Sequence, residues 1–555
     1  MTAALPLLAA RELAAPIAWL RGEPVSAALF IAEAQALASQ LPPRGRPINL
    51  CQDRYRFALG LAAALLRGQT SLMPPNALPE TLQQLQADPN PADAPYALVD
   101  DAALDVGGLT ALFVARPAGV LPATSVPLIA ADLEAVCLLT SGSTGPPQPH
   151  GKRWGPLVAN IAAEAARLAE LIEQPSVAGL NILATVPAQH SYGFESSVLL
   201  ALLGGAAFDA GRPFYPADIA DALRMLPQPR ALVTTPFHLK TLLLAGVALP
   251  PVDLVLSATA PLSPQLAAQA EQAFDGRLVE IYGCTEAGQV AARRTTAGDT
   301  WTALGELRLW REDTGAGERF LVAGGHVTLP TPLADVLVLH DERRFRLLGR
   351  ANDLIHVAGK RSSLAHLNFH LNRIEGVDDG AFWMPDDEAD GVTRPVAFVV
   401  APALSARQIV LALREHLEPA FVPRRVVHVD ALPREATGKL TVQTLARFAR
   451  ERLADDTEIE IPADHPSFAG HFPGQPVLPG VVLLSLLMQA VAARPALRDK
   501  LGATPQIDQV KFLAPVGPGA RLRVVLHEQD RRLDFELRHG DITVARGQLS
   551  AGTAA

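Results

Sequence analysis

The sequence predicts an α/β protein with a mainly parallel sheet, built from more than one domain. Short β-forming runs such as NILATVP (181–187) and RALVTTP (230–236) alternate with helical patterns such as ANIAAEAARLAELIEQ (159–174). Strands that alternate with helices are typical of βαβ units, whose strands lie parallel in one sheet. With 555 residues, of which 49% are apolar, the chain is long enough to bury several hydrophobic cores.

Composition excludes several classes of function. The formal net charge of -9 is mild and spread along the chain, which leaves no basic stripe for nucleic acid. Three scattered cysteines (Cys51, Cys137 and Cys284) are too few for a disulfide framework or a zinc site, so we expect a reducing cytoplasm. The first 22 residues lack a basic n-region, and the longest apolar run (481–492) is too short to span a bilayer. We therefore expect no signal peptide and no transmembrane segment.

A Ser/Thr/Gly loop directly follows the apolar run AVCLL (135–139) and is the most informative feature of the chain. Glycines let the backbone approach an anion, and successive N–H groups with neighbouring hydroxyls form a nest for phosphate. The spacing to Gly151 and the Lys152-Arg153 pair do not fit a Walker loop, so a P-loop kinase or NTPase is not expected. The predicted phosphate-binding residues are Thr140, Ser141, Gly142, Ser143, Thr144 and Gly145.

Over roughly residues 45–445 the chain resembles the adenylate-forming superfamily of acyl-CoA synthetases, peptide-synthetase adenylation domains and luciferases. The resemblance rests on six motifs in the family's order and at its spacing. They are TSGSTG (140–145), VPAQHSYGFE (186–195), SATAPLS (257–263), YGCTEAG (282–288), LADVLVLHDERRFRLLGRANDLIHVAGKR (333–361) and LPREATGK (432–439).

The resemblance implies ATP, which leaves AMP on the activated acid, and Mg²⁺. A carboxylate attacks the α-phosphorus, so charge on the phosphates and on the leaving pyrophosphate must be neutralised. Thr285 and Glu286 would meet the α-phosphate and Mg²⁺, for which Glu286 is a hard oxygen ligand. Asp335 would accept both ribose hydroxyls, with Arg350 nearby. Adenine would lie between Tyr282 and the segment around Ala260, and Gly283 is assigned to the same nucleotide site.

The resemblance also implies three domains and a moving lid. The large α/β domain would span residues 1–349, and a small α+β lid would span residues 350–450. From the lid, Lys439 would bridge the acyl carboxylate and the phosphate. Asn352 stands at the hinge position, and its tolerance of unusual backbone angles suits rotation of the lid. After rotation, the strand around Gly359 would open a channel for the thiol of phosphopantetheine.

The phosphate loop departs from the family pattern at one position. Where the family commonly has lysine, this chain has Gln148, and Lys152 lies four residues later. Two interpretations of Lys152 stay open, since it can reach the same phosphate from a longer loop or be an exposed lysine.

The acyl substrate is partly predicted by the motif at residues 186–195. His190 matches the gate beside the acyl pocket, and its alternative is a loop histidine paired to backbone. Ser191 stands where amino-acid-activating domains commonly carry Asp. Because a buried ammonium would lack its counter-charge there, we expect an aryl or fatty acid as the substrate.

The C-terminal segment, residues 457–555, resembles hot-dog-fold 3-hydroxyacyl-carrier-protein dehydratases through HFPGQPVLPG (471–480) and the apolar stretch that follows it. In this α+β fold an antiparallel sheet wraps a long apolar helix, and two copies form a dimer. His471 would remove the α-proton, and the helix beginning near Gly480 would stabilise an enolate-like oxygen.

The family's acidic residue, fourteen positions after the histidine, is Ser485 here. A serine hydroxyl is a poor general acid, so three interpretations stay open: slow dehydration with another acid, a change to thioester hydrolysis, or an acyl-binding and dimerising module.

The two resemblances together suggest the ligase and dehydratase components of bacterial aryl-polyene or xanthomonadin-type pathways, fused in one chain. They predict an acyl carrier protein as partner, although coenzyme A offers the same thiol arm. A hypothesis of a different class is a non-catalytic scaffold that binds acyl and nucleotide groups. Gln148 and Ser485 favour it, whereas Glu286, Asp335 and Lys439 favour an active ligase.

Overall fold

The computed structural model divides the chain into two compact units, residues 1–440 and 441–555. The boundary lies ten residues before the predicted end of the lid, and the division into three domains stays a prediction. The structure describes residues 3–9, 11–74, 76–86, 94–140, 148–314, 317–350, 354–357, 360–385, 394–423, 425–434, 440–454, 457–468, 474–492, 501, 505–529, 532–540 and 542–551.

In the described residues of the first part of unit 1 we find ten strands and three helices. The strands are β1 (Ala4–Pro6), β2 (Pro16–Leu20), β3 (Glu23–Ser26), β4 (Arg46–Asn49), β5 (Ser71–Met73), β6 (Pro95–Val99), β7 (Ala111–Phe113), β8 (Leu128–Ala130), β9 (Glu134–Thr140) and β10 (Gln148–Arg153). The helices are α1 (Ala27–Gln40), α2 (Arg54–Leu66) and α3 (Pro79–Gln86).

The central part of unit 1 carries the next twelve strands. They are β11 (Asn181–Ala184), β12 (Ala207–Asp209), β13 (Arg230–Thr234), β14 (Leu254–Ser257), β15 (Arg277–Cys284), β16 (Gly288–Arg293), β17 (Trp301–Ala303), β18 (Arg308–Thr314), β19 (Gly317–Gly324), β20 (Val327–Leu333), β21 (Asp335–Leu339) and β22 (Arg344–Arg350). The helices are α4 (Trp154–Leu171), α5 (Ser191–Gly193), α6 (Leu200–Gly204), α7 (Pro216–Met225), α8 (Pro236–Leu244) and α9 (Pro264–Phe274). A π-helical stretch (Phe194–Leu199) joins α5 to α6.

Two large sheets form the framework of this part, and both are mainly parallel at their centres, as predicted. The smaller has the order β10-β9-β5-β4-β6-β7, and the larger runs from β21 through β15, β14, β13 and β11 to β3. Strands β11, β13, β14 and β15 are parallel neighbours, so their carboxyl ends lie on one edge. In open α/β sheets ligands bind at that edge. The predicted strands at 181–187 and 230–236 are therefore confirmed, and the helix predicted over 159–174 is α4.

Residues 354–428 have a hydrophobic core of their own, in which Leu367, Phe382, Ala397, Val399 and Ile409 are buried. The strands here are β23 (Leu354–Val357), β24 (Lys360–Ser363), β25 (Asp379–Trp383), β26 (Val396–Val400) and β27 (Arg425–His428). The helices are α10 (Leu364–Leu371) and α11 (Ala406–Arg414). This α+β composition is the one expected for the small lid.

Unit 2 is an antiparallel sheet packed on an apolar helix, as expected for a hot-dog domain. Its helices are α12 (Val442–Ala454) and α13 (Gly480–Ala492), and its strands are β28 (Thr457–Glu460), β29 (Gln506–Phe512), β30 (Arg521–Gln529), β31 (Arg532–His539) and β32 (Ile542–Ser550). The strand order is β28-β30-β31-β32-β29. Leu483 and Leu487 of α13 share one core with Leu522, Phe535 and Leu549 of the sheet. No helix among the described residues is long and apolar enough to cross a membrane.

Candidate functional site

The predicted phosphate loop joins two paired strands. β9 and β10 are antiparallel, and Gln148 is the Cα partner of Thr140. Thr140, predicted as the first residue of the loop, is the last residue of β9. The other phosphate-binding candidates, Ser141, Gly142, Ser143, Thr144 and Gly145, lie outside the described residues.

The predicted metal-binding motif forms a tight turn between β15 and β16. A register shift between Tyr282 and Gly283 marks a bulge at the end of β15. A Cβ atom at Gly283 would come within 2.3 Å of the carbonyl oxygen of Gly288, so the backbones approach too closely for any side chain. The turn displays Thr285, which is half-buried, and Glu286, whose side chain is 49% exposed. A carboxylate exposed to this degree is accessible to a cation.

Two side chains of β10 face the Glu286 turn. The Nζ of Lys152 donates a hydrogen bond of 2.8 Å to the carbonyl oxygen of Glu286. The Nε2 of His150 lies 4.0 Å from Oε1 of the same residue. Lys152 therefore contacts the turn that is predicted to bind metal, an arrangement that neither sequence-based interpretation contained.

The ribose-binding candidate Asp335 is held by the adenine-binding candidate. The hydroxyl of Tyr282 donates a hydrogen bond of 2.8 Å to Oδ2 of Asp335. The ring of Tyr282 is nearly buried and packs against Trp301 and Phe345, with centroids 5.8 and 5.7 Å apart. Asp335 and Arg350 are Cα partners in β21 and β22, so the structure brings the two predicted ribose residues together. The side chain of Arg350 lies outside the described part.

The segment that should cover the other face of adenine has a strained backbone. Thr259 has a φ of 79°, a left-handed conformation that β-branched residues rarely adopt. Its neighbours Ala260 and Pro261 are exposed directly after β14. Such outliers persist where the surrounding structure over-determines them, and they cluster at binding sites.

The acyl-gate candidate His190 begins α5. Its side chain makes no capping hydrogen bond, and it is half-buried. A Cβ at Gly193 would lie 2.0 Å from the carbonyl oxygen of Pro187, so the chain turns too tightly there for another residue. Beyond it, the six π-helical residues place Glu195 toward the interior. π-Helical turns of this kind are frequent at functional sites.

The structure also contains a cluster of buried polar side chains that the sequence analysis did not predict. Oε1 of Glu164 accepts hydrogen bonds of 2.8 Å from Gln289 Nε2 and from Ser196 Oγ. Ser191 Oγ donates to Oε1 of Glu195 over 3.3 Å. Burial raises the pKa of Glu164 to about 8 and that of Glu195 to about 7, and the charge of Lys152 opposes the second shift.

One signal could have revealed this cluster. The buried positions of α4 include Leu157, Ile161 and Leu168, at the spacing of an apolar stripe. Asn160 and Glu164 fall in the same stripe and are 2% and 0% exposed. Two polar residues one turn apart on a buried face indicate a polar network rather than a packing core.

Several predicted residues lie outside the described part of the chain. They are Asn352 at the hinge, Gly359 at the thiol channel, Lys439 in the lid and His471 in the hot-dog domain. Their assignments stay predictions. The described flanks of Gly359 form the β23–β24 hairpin, with Val357 opposite Lys360.

In unit 2, the helix predicted near Gly480 begins at that residue. A Cβ at Gly480 would meet the ring of Phe512 at 2.7 Å, so the helix start packs closely on β29. Ser485, at the family's acid position, is exposed on α13. The sequence contains no carboxylate between His471 and Asp499. Across the described residues of both units, no group of three or more His, Cys, Asp or Glu side chains is arranged to hold a metal ion.

Comparison with known families agrees with both resemblances, that of the N-terminal region and that of the C-terminal segment. A model described as AMP-binding enzyme matches residues 58–344, a little more than half of the chain. Its C-terminal-domain counterpart matches residues 371–439. A model described as ApeI dehydratase matches residues 450–548.

Individual proteins give the same division. A 4-coumarate–CoA ligase of Halorhodospira halophila is 30% identical over 313 residues, which cover 54% of this chain and 73% of the relative. The 3-hydroxyacyl-(acyl-carrier-protein) dehydratase FabZ of Thermomicrobium roseum is 38% identical over 95 residues, which cover 16% of this chain and 63% of that enzyme. The crystal structure of ATP-bound MatB from Rhodopseudomonas palustris superposes with a TM-score of 0.65 at 19% identity, covering 80% of this chain and 97% of that one. At this identity the superposition establishes the fold alone.

Proposed function

This chain belongs to the AMP-binding enzyme family and carries an ApeI-like dehydratase domain, and from that premise we propose that it joins an aryl or fatty carboxylic acid to a phosphopantetheine thiol at the expense of ATP. The carboxylate oxygen would attack the α-phosphorus, and pyrophosphate would leave with its bonding electrons. The thiolate would then attack the acyl carbonyl and release AMP. Acyl carrier protein and coenzyme A present the same thiol arm, and the fused dehydratase-like domain favours the carrier protein.

The observation that carries this proposal is the meeting of two distant motifs at one place. The strand that follows the phosphate loop contacts the Glu286 turn through Lys152 and His150. A phosphate-binding loop and an acidic residue beside it are the parts that phosphoryl chemistry needs. Asp335, fixed by Tyr282, adds an acceptor suited to a ribose diol.

Magnesium fits this arrangement, with Glu286 as its protein ligand. Magnesium keeps several waters and is commonly bound by one or two carboxylates together with substrate phosphates. When bound, it would neutralise charge on the phosphates. Glu286 is half-exposed and its main chain is anchored by Lys152, so the carboxylate stays available while the turn is held.

Substrate preference follows from the acyl side of the site. Ser191 donates to the buried Glu195, and no carboxylate stands at the position of Ser191 to meet a substrate ammonium. An uncharged acyl group is therefore favoured over an amino acid. The 4-coumarate–CoA ligase relative supports an aryl acid as the first class to test.

For unit 2 we propose an acyl-thioester role, with three candidates. Retained dehydration is supported by the ApeI-like and FabZ-like matches. Acyl binding and dimerisation without catalysis is favoured by the exposed Ser485 at the acid position. Thioester hydrolysis, a change of chemistry in the same domain, is the third candidate.

A homodimer through unit 2 is part of the proposal. β29 is an edge strand of the five-stranded sheet, and it exposes apolar side chains at Ile507 and Phe512, with Leu513 directly after it. An exposed apolar edge strand presents unpaired backbone groups and apolar side chains to which a second chain can pair. Sedimentation of the parent beside Ile507→Lys tests this; a monomeric parent would exclude the dimer.

We place the reaction in the cytoplasm. The chain's three cysteines are free thiols, two of them buried, which suits a reducing compartment.

The decisive experiment is acid-dependent exchange of pyrophosphate into ATP. Hydroxybenzoates, cinnamates and fatty acids are tested with Mg²⁺, beside a Lys439→Ala variant. We expect exchange with one acid class, abolished by Lys439→Ala while ATP binding measured by calorimetry is nearly unchanged. Absence of exchange with every acid, with ATP still bound, would favour the non-catalytic scaffold.

A further inference from the structure

We propose that Lys152 is a positioning residue, which holds the turn that carries Glu286 and thereby sets how well the enzyme binds the metal complex of ATP. The inference deepens the proposed function and rests on it. It assigns a role to the lysine that lies four residues beyond Gln148, the position where related phosphate loops commonly carry lysine.

The side chain of Lys152, which follows the phosphate loop, contacts the main chain of the turn that carries Glu286. Lys152 Nζ lies 2.8 Å from the carbonyl oxygen of Glu286, a residue 134 positions away. A charged donor forms a stronger hydrogen bond than a neutral one, and this bond fixes a peptide group of the turn. It leaves the carboxylate of Glu286, which is half-exposed, available to a ligand.

The local backbone of β10 aims this side chain. A register shift between Lys152 and Arg153 marks a bulge at the end of the strand, and bulges redirect side chains. Residues two apart on a strand face the same side. His150, two residues earlier, accordingly lies 4.0 Å from the Glu286 carboxylate.

Burial disfavours the charged form of the Lys152 side chain, and a buried carboxylate opposes this effect. Glu195 is 2% exposed, and its charge is the largest of those that stabilise the charged form of Lys152. Glu195 is itself fixed by the hydrogen bond from Ser191. The charge of an interior carboxylate therefore stabilises an ammonium that is bonded to the turn carrying Glu286, and removal of either charge leaves the other poorly compensated.

The role proposed for Lys152 can be distinguished experimentally from that of a phosphate-binding lysine. Groups that orient a metal ligand without touching the metal typically change metal affinity by about 10–100-fold when they are removed. A lysine bound to phosphate would instead change the affinity for ATP whether or not metal is present. The two roles therefore predict different results.

The test compares the parent with Lys152→Met by calorimetry, using ATP with Mg²⁺ and ATP with a chelator. We expect Lys152→Met to weaken binding of the magnesium complex by about tenfold or more, and binding of metal-free ATP by less than about twofold. In pyrophosphate exchange, the half-saturating Mg²⁺ concentration should rise in the same proportion. Equal weakening with and without metal would overturn the proposal, as would no weakening at all.

Arg153→Met is the matched control, because it removes one positive charge from the adjacent exposed position. We expect it to leave the Mg²⁺ dependence unchanged. A second variant, Lys152→Met with Glu195→Gln, removes both charges and guards against misfolding caused by an unpaired buried carboxylate. It should reproduce the magnesium defect of the single variant, and a return to parental Mg²⁺ dependence would contradict the role.

Two further variants test whether Lys152 acts through Glu286 or binds phosphate directly. In a Glu286→Gln background, Lys152→Met should have little additional effect, since it acts through Glu286. Gln148→Lys should not restore the Lys152→Met variant, and full restoration would identify a phosphate-binding charge instead. If the parent shows no exchange with any acid, the proposed function fails; if the parent is active and Lys152→Met matches it, only this inference fails.

Discussion

The two units of this chain differ in how their candidate active-site groups are held. In unit 1, carboxylates recur around the site, and three of them accept hydrogen bonds from neighbouring side chains: Asp335 from Tyr282, Glu164 from Gln289, and Glu195 from Ser191. In unit 2, α13 carries only apolar or uncharged residues, and Ser485 stands exposed where related dehydratases have an acid. Among the described residues, unit 1 therefore presents its candidate site as paired polar groups, whereas unit 2 presents mainly a packing core, and its proposed base, His471, lies outside the described part.

The largest expected effect is that one variant in each unit loses the activity of its own unit and keeps that of the other. Lys439→Ala should reduce acid-dependent pyrophosphate exchange by at least about 100-fold, because a charge that stabilises the transition state is lost. His471→Ala should leave that exchange unchanged while it removes turnover of 3-hydroxyacyl thioesters. Both assays are run on the full chain. Parental thioester turnover in His471→Ala would assign unit 2 to acyl binding alone.

A gain of function would test the unit 2 side of the comparison. Ser485→Glu restores a proton donor at the family's acid position, and general acid catalysis contributes about 100-fold or more at established sites. We expect dehydration of 3-hydroxyacyl thioesters to rise by at least about tenfold. Ser485→Gln is the matched control, since it adds similar volume without an acidic proton. Equal rates in the two variants would show that the missing acid does not limit this domain.

A smaller effect is expected at the nucleotide end of unit 1. Tyr282→Phe removes the hydrogen bond to Asp335 and costs about 1 kcal/mol, which corresponds to a roughly fivefold rise in the KM for ATP. The value of kcat should change less, because the residue orients an acceptor of the ribose. Tyr215→Phe, at an exposed tyrosine, serves as control. A fall in kcat with unchanged KM would contradict the assignment of Asp335 to ATP binding.

The last expected effect concerns the pH dependence of stability and not catalytic activity. The pKa of Glu164 is raised to about 8 by burial, so folding favours its protonated form. Its stabilising contribution is complete below the ordinary pKa of a glutamate and is lost as pH rises through about 8. Glu164→Gln should therefore be more stable than the parent at pH 9, by roughly 1–3 kcal/mol, with little difference at pH 5.

Thermal unfolding at both pH values checks this prediction. Glu170→Gln, at an exposed position on the same helix, should show no such dependence on pH. If the difference in stability between the parent and Glu164→Gln is the same at pH 5 and pH 9, another group compensates the charge of the buried carboxylate.

Much of the fold could be predicted because strand and helix periodicity are local. The runs at 181–187 and 230–236 became adjacent parallel strands, and the helix at Gly480 began where its motif indicated. The candidate ribose pair Asp335 and Arg350 also came together, since a single hairpin joins them. The buried cluster around Glu164 was not predicted, because the local sequence of a helix does not identify the distant groups that form hydrogen bonds with a buried polar side chain.

The sequence by itself determined the order of the motifs, the βαβ alternation and the absence of a carboxylate between His471 and Asp499, all of which are properties of neighbouring residues along the chain. Only the tertiary structure decided what the side chain of Lys152 contacts. Its spacing from Gln148 left two interpretations open, and the outcome depended on a turn 134 residues away. A hydrogen bond forms wherever packing brings donor and acceptor within about 3 Å, and that distance is set by how sheets and turns pack, not by separation along the chain.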